Sequence, residues 1–369
     1  MKQNLRWLKF LFIALVLPLL AQASTDDTMF DTGSIENWTW TPRVSGQMNF
    51  VLDQTPSSRR GRTPNDWCLL TFSSDFAHKE EPFAVSMSAS YGPDRDASSE
   101  QPSIYWNQAA FIWKAQPEIS AGLIYDPVVD FAWMSFWGSD LGPDFETGLS
   151  KWKVIPLADM GVSIAQDFGA AGIWTLQSTN GEGWPTREKG ARKDFELAAT
   201  KTWEGDGSKI ALQGFVRHGG YDQLGPDNNV KQRGGLQGYY QRPSWVIGLL
   251  GVQMKDSADG ANNFMGEGVD LTNRGGQIVD GRFVEYWLGY KWGEPAKRWR
   301  MYYRGAELAP DVKDSGKRVQ QNAVAIGRRL IPGMELSLAY QTTDFKPGYS
   351  SKLESRSRWF LAWTWALAK

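Results

Sequence analysis

Carboxylates are common in this chain, but without a geometry they are no evidence of catalysis, and the histidines and cysteine that nucleophilic or metal chemistry would use are few and scattered. His78 and His218 are its two histidines and Cys68 its one cysteine. A hydrolytic triad, a His-rich metal site and a thiolate metal site are therefore disfavoured. Gly234-Gly235 and Gly275-Gly276 lack the lysine pattern and strand-to-helix setting of a phosphate loop. The prediction is no catalytic residue, no metal ligand and no cofactor. What remains is a spacing: Arg298, Arg300 and Arg304 fall with Tyr302 on one phase of a two-residue period, opposite Trp299, Met301 and Tyr303. A strand built this way cannot bury both faces in a dry core, because each unpaired guanidinium would cost several kcal/mol. One face has to meet water.

The same period runs through the chain. Phe83, Val85, Met87, Ala89 and Tyr91 alternate with Ala84, Ser86, Ser88 and Ser90, and Met334, Leu336, Leu338 and Tyr340 alternate with Glu335, Ser337, Ala339 and Gln341. Near the end, Trp359, Leu361, Trp363, Trp365 and Leu367 oppose Arg358, Phe360, Ala362, Thr364 and Ala366. Many segments are near the 9–11 residues a tilted transmembrane strand requires. Counted this way, the sequence predicts about sixteen strands, at 38–53, 67–76, 83–91, 104–114, 117–126, 159–166, 171–180, 193–203, 208–218, 231–242, 244–255, 276–292, 297–307, 318–331, 333–343 and 356–368. Connections alternate between long and short, the longest being 127–158. That parity predicts an all-β fold, a transmembrane antiparallel β-barrel of about sixteen strands with long extracellular loops and short periplasmic turns.

Composition agrees with a barrel. The 19 Trp are more than a soluble domain of 369 residues needs, yet only 41% of residues are hydrophobic. Averaging a lipid-facing apolar phase with a wet polar phase gives such values. With 40 Lys+Arg against 41 Asp+Glu, the strongly basic balance of a nucleic-acid binder is absent. Lys2, Arg6 and Lys9, the apolar run Phe10 to Leu20, and Ala21-Gln22-Ala23 read as a secretory signal peptide, 1–23, cut after Ala23. The mature barrel then covers 24–369, opening with a short periplasmic segment at 24–37. Aromatics collect at strand ends, as interfacial girdles require: Trp113, Trp203, Trp245, Tyr290, Trp292 and Trp299 next to short turns, Trp106 and Trp359 toward long loops.

The pattern resembles the sixteen-stranded porins of Gram-negative outer membranes. The stretch Asp159-Met160-Gly161-Val162-Ser163-Ile164, followed by Gly172 to Gly183 with its Asn180-Gly181-Glu182-Gly183 loop, is similar to a strand-turn-strand of the phosphate-selective (polyphosphate-selective) porins. No basic ladder in the third long loop accompanies it, so phosphate selectivity is not carried over. The resemblance implies a water-filled outer-membrane channel for passive diffusion of small hydrophilic solutes or ions, a homotrimer in outer-membrane lipid, and a third loop folded into the lumen.

That loop, 127–158, holds Asp130, Asp140, Asp144 and Glu146 with Lys151 and Lys153, and the apolar Phe131, Trp133, Met134, Phe136, Trp137 and Phe145. Six large apolar groups on an exposed loop would form an aggregation patch, whereas against an inner wall they have a surface to pack on. Inward-phase cations are Arg43, Lys209, Arg217, Arg233, Arg298, Arg300, Arg304, Arg329, Arg356 and Arg358. Inward-phase acids are Glu118, Asp159, Asp194, Glu196, Glu285 and Glu335. The expected constriction sets Arg217, Arg233, Arg298, Arg300 and Arg304 against Asp130, Asp140, Asp144 and Glu146, a transverse field that would filter ions by sign. Ordinary lumen solvation by paired charges is the competing arrangement. Three other functions stay open: a non-conducting barrel serving as surface receptor, adhesin or scaffold, an outer-membrane hydrolase, and a secreted β-rich carbohydrate binder.

Overall fold

The computed structural model describes residues 38–53, 66–93, 102–135, 147–181, 193–221, 229–265, 269–346, 348–349 and 355–368. The signal-peptide and 24–37 expectations lie outside them. Sixteen strands form one closed antiparallel barrel, each paired to its neighbour in sequence and β1 pairing with β16. They are β1 Trp38–Asp53, β2 Asp66–His78, β3 Phe83–Pro93, β4 Pro102–Trp113, β5 Glu118–Tyr125, β6 Ala158–Asp167, β7 Ile173–Thr179 and β8 Asp194–Gly205, then β9 Ser208–Gly219, β10 Lys231–Gln241, β11 Trp245–Ser257, β12 Ile278–Trp292, β13 Trp299–Ala309, β14 Val319–Ile331, β15 Met334–Phe345 and β16 Arg356–Ala368. Closure leaves no unpaired edge, which a sheet in lipid cannot tolerate.

Alternation decides which face meets lipid. On β10, Leu236 is 73% exposed while Gln237 beside it is 3% exposed. The outward phase carries Phe111, Val162, Leu176, Phe195, Leu212, Val216, Leu249, Leu288, Ile326, Leu338 and Leu361, all exposed. An apolar band on the outside with Gln, Glu and Arg buried on the inside inverts a soluble protein and suits a bilayer-spanning barrel. No described helix is long and apolar enough to cross a membrane, so the strands make the crossing.

The short turns follow local chemistry. Gly205 pairs with Ser208 across Asp206 and Gly207, whose φ values of 50° and 68° are those of a two-residue type I′ hairpin. Pro332-Gly333 joins β14 to β15 with Gly333 at φ 77°, the order a type II turn uses. At the first turn, His78 Nδ1 accepts the Glu81 N–H at 2.9 Å, so this histidine shapes a hairpin. His218 lies near the other end of the barrel, on the outward phase of β9.

Candidate functional site

The segment between β5 and β6 lies against the inner wall. It holds helix α1, Pro127–Ser135, and the short helix α2, Gly148–Lys151. Asp126 starts the descent: its Oδ1 accepts the Val128 N–H at 2.9 Å and opens α1, while its Oδ2 lies 2.6 Å from Arg217 on β9. Deeper in the barrel, Gln213 Nε2 donates to Pro127 O at 3.3 Å, and Gln237 Nε2 donates to Val128 O at 2.7 Å. Deeper still, the Phe131 ring sits 5.4 Å from that of Tyr239, which is paired with Ala211. From Arg217 to Ala211 the wall strand advances six residues, and α1, nine residues long, runs beside it for its length of roughly 14 Å.

The return limb climbs along the neighbouring wall. The Gly148 N–H donates to the Glu285 carboxylate at 3.1 Å, and Glu285 is 2.9 Å from Arg304 Nε. Trp152 packs edge-on against Phe283 with ring centroids 5.8 Å apart. Near the top, Arg233 Nε donates to Val154 O at 3.0 Å, and the Asp126 N–H donates to Leu157 O at 3.0 Å, closing the root of the loop. Val128, Val129, Leu149 and Ile155 are fully buried by this docking. Polar clasps at both ends and an apolar middle account for a loop this rich in large apolar groups.

Above the docked loop lies a dry ion network. Arg217 also meets Asp194 at 2.9 Å and Glu196 at 3.3 Å, and Lys231 lies 2.8 Å from Asp194. Arg233 lies 2.6 Å from Asp256, which also accepts the Tyr221 hydroxyl hydrogen bond at 2.7 Å. The side chains of all six charged residues are at most 3% exposed. A methyl group on Gly219 would fall 1.7 Å from Asp194 Oδ1, so glycine there makes the seat of that carboxylate.

The expected constriction residues divide by place. Arg217 and Arg233 stand at the root of the docked loop in ion pairs; they do not face it across a gap. Arg300 pairs with Glu335 and Arg304 with Glu285, so these wall arginines meet carboxylates of their own wall. Arg298 precedes β13: Pro295–Lys297 form a 3-10 turn that delays the strand, and Arg298 stands half-buried at the rim. Lys151 ends α2, and Lys153 follows it at φ 51°. Asp140, Asp144 and Glu146 lie outside the described residues.

Asp130 is solvent-accessible on α1. Enclosure by the barrel, and next the charge of Asp126, push its carboxyl above the usual Asp range. The wall across the lumen, β2–β4, carries smaller polar groups: Ser86 donates to Asp75 at 2.7 Å, and Thr71 and Ser90 are 2.8 Å apart. Sequence reasoning missed Asp126, Gln213, Gln237, Lys231 and Asp256. Their signal was a polar residue on the buried phase near an already tallied cation.

No group of three or more His, Cys, Asp or Glu side chains able to hold an ion occurs among the described residues. No protein-family model matches the chain, so the likeness of 159–183 to phosphate-selective porins stays without such a match. No curated protein matches either. Solved structures do. The outer membrane channel DcaP of Acinetobacter baumannii aligns at TM-score 0.59 and 12% identity, over 90% of this chain and 99% of that one. Salmonella typhi OmpF in complex with daunomycin aligns at 0.57 and 10%, over 89% and 97%. The trimer form of OmpT, an outer membrane protein of Vibrio cholerae, aligns at 0.54 and 9%, over 90% and 100%. At such identities the likeness is one of fold, and it joins the outward apolar band in marking the chain as a sixteen-strand transmembrane barrel of the outer membrane.

Proposed function

We propose that the barrel is a porin, a passive diffusion channel for small hydrophilic solutes and ions, narrowed by the segment between β5 and β6. The observation that carries this reading is the course of α1 down the inner wall, from the Asp126–Arg217 pair to the Phe131–Tyr239 contact. A segment held along the wall reduces the cross-section. Solutes move down their own gradient, and the lumen supplies hydrogen-bonding groups that replace part of their water. Because Arg217, Arg233, Arg300 and Arg304 are each paired with a carboxylate, they add little net field, and ion selectivity is set by accessible charges such as Asp130 and by the span 136–146. A homotrimer is the assembly we favour, the form named for OmpT among the fold neighbours.

A second reading has its own observation. Trp287, Tyr302, Phe283 and Phe360 project inward and are fully buried, as in a barrel with a plugged lumen serving as a receptor or scaffold. Planar-bilayer recording separates the two. Discrete conductance steps from purified, folded protein are the expected result, and a folded protein that never conducts removes the channel reading and leaves the plugged barrel.

A further inference from the structure

The periplasmic rim is uneven in charge. Around the turns that join β10 to β11, β12 to β13 and β14 to β15 stand Arg242, Lys297, Arg298, Arg328 and Arg329, with Glu294 as the exposed acid. Two of these arginines differ from ordinary rim charges because they lie on the lipid side. Arg328 belongs to the outward phase of β14, between exposed Ile326 and Leu330 and in register with Trp299 and Leu336. Its guanidinium carbon lies 5.1 Å from the centre of the Trp299 ring. Arg242, exposed in the β10–β11 turn, folds back on β10: its Nε donates to the Tyr240 hydroxyl at 2.7 Å, with its guanidinium 5.9 Å from that ring. Neither arginine has a carboxylate partner among the described residues.

Between them runs an aromatic belt. Tyr240 and Trp245 have ring centroids 4.9 Å apart, Trp245 is in register with Tyr290, Tyr290 stacks on Trp292 at 5.7 Å, and Trp292 stacks on Trp299 at 6.2 Å. Four strand spacings separate β10 from β14, roughly 19 Å, so the two arginines reach separate lipids. Aromatic rings hold the headgroup level, and an unpaired arginine on a lipid face is tolerated only near that level. A guanidinium presents planar paired donors suited to a phosphate, which the stacked ring leaves free at its edge.

We infer that this belt is a binding site for anionic phospholipid of the inner leaflet, with Arg242 and Arg328 each taking a headgroup phosphate and the aromatic belt carrying the glycerol backbones between them. The site needs the barrel in its membrane and does not depend on conduction, so failure of the channel reading would leave it standing. Purified full-length protein is equilibrated in detergent with equal amounts of phosphatidylglycerol and phosphatidylcholine, and the lipid retained is measured by native mass spectrometry. Two interfacial arginines predict enrichment of phosphatidylglycerol on the order of tenfold at low salt, falling toward parity in high salt as the charges are screened. The double change Arg242→Gln with Arg328→Gln should abolish the enrichment, while Lys114→Gln at a different turn should keep it. Parity for the unaltered protein, or enrichment that ignores salt, overturns the site even if the double variant fails to fold. Unchanged enrichment in the folded double variant overturns it as well.

Discussion

The Arg217 guanidinium lies 2.6 Å from Asp126 and 2.9 Å from Asp194, joining the root of the lumenal loop to the barrel wall through one side chain. A buried pair of this kind is weak as net stabilisation but costly to break, because the partners left behind stay charged in a dry site. Three carboxylates, Asp126, Asp194 and Glu196, depend on Arg217. Arg217→Met should therefore destabilise the barrel by about 3–5 kcal/mol. Urea unfolding followed by heat-modifiable gel mobility measures that loss, and a variant within about 1 kcal/mol of the parent would remove the clasp assigned to Arg217.

Below the clasp the loop is held by apolar contact. Phe131 packs on Tyr239 and Trp152 on Phe283, and Phe131 and Trp152 are each 3% exposed. Truncating a buried aromatic to alanine costs about 3–5 kcal/mol, here drawn chiefly from docking of the loop. Phe131→Ala with Trp152→Ala should loosen the segment, raise single-channel conductance and add current noise while the barrel still folds. Conductance equal to the parent's in a folded double variant would mean that this segment does not set the cross-section.

How much of this was legible in the sequence follows from what a two-residue period can and cannot encode. Every strand was found within a few residues, because one apolar phase and one polar phase are visible from local order alone, as at Arg300, Tyr302 and Arg304 against Met301 and Tyr303. Glu196, Asp194 and Glu285 were placed on the inward phase for the same reason, and they are there. Their partners were not legible. The expected constriction sets Arg217 against Asp130, Asp140, Asp144 and Glu146, whereas it meets Asp126, the residue just before the loop, and Asp194 and Glu196 of the adjoining strand. Pairing across a lumen depends on the depth each strand reaches and on where the loop turns inward, and neither leaves a periodic trace. Trp287 shows the same limit: the inward phase of β12 is legible, but the place of the indole over Gly248 of the adjoining β11 comes from register.

That glycine gives a test of how tightly the lumen is packed. Gly248 is in register with Trp287, and a methyl group built on it would lie 2.2 Å from the indole ring. Gly248→Val forces Trp287 off its seat, and overpacking of this kind typically costs about 1–3 kcal/mol. Adding Trp287→Leu should recover part of the loss, because the smaller side chain clears the new group. Urea midpoints for the two single variants and the double variant measure the coupling; purely additive losses would show that the indole does not rest on Gly248.

Asp130 offers a pH signature separate from stability of the wall. Enclosure and the nearby Asp126 charge raise its carboxyl above the usual value, which is about 3.9 for an unperturbed Asp. As pH falls it takes up a proton before an ordinary surface carboxylate does, and the lumen loses a negative charge. Preference for cations should therefore decline on acidification, starting above the normal Asp range. The linkage has the matching sign: between the unfolded and the raised folded value, the folded form holds a proton that the unfolded chain lacks, so this group makes the protein more stable as pH falls through that interval. Asp130→Asn should lower cation preference at neutral pH and flatten its change on acidification. Reversal potentials in a salt gradient, recorded at several pH values, measure both effects, and an identical pH profile in the parent and the variant would remove Asp130 from the selective part of the lumen.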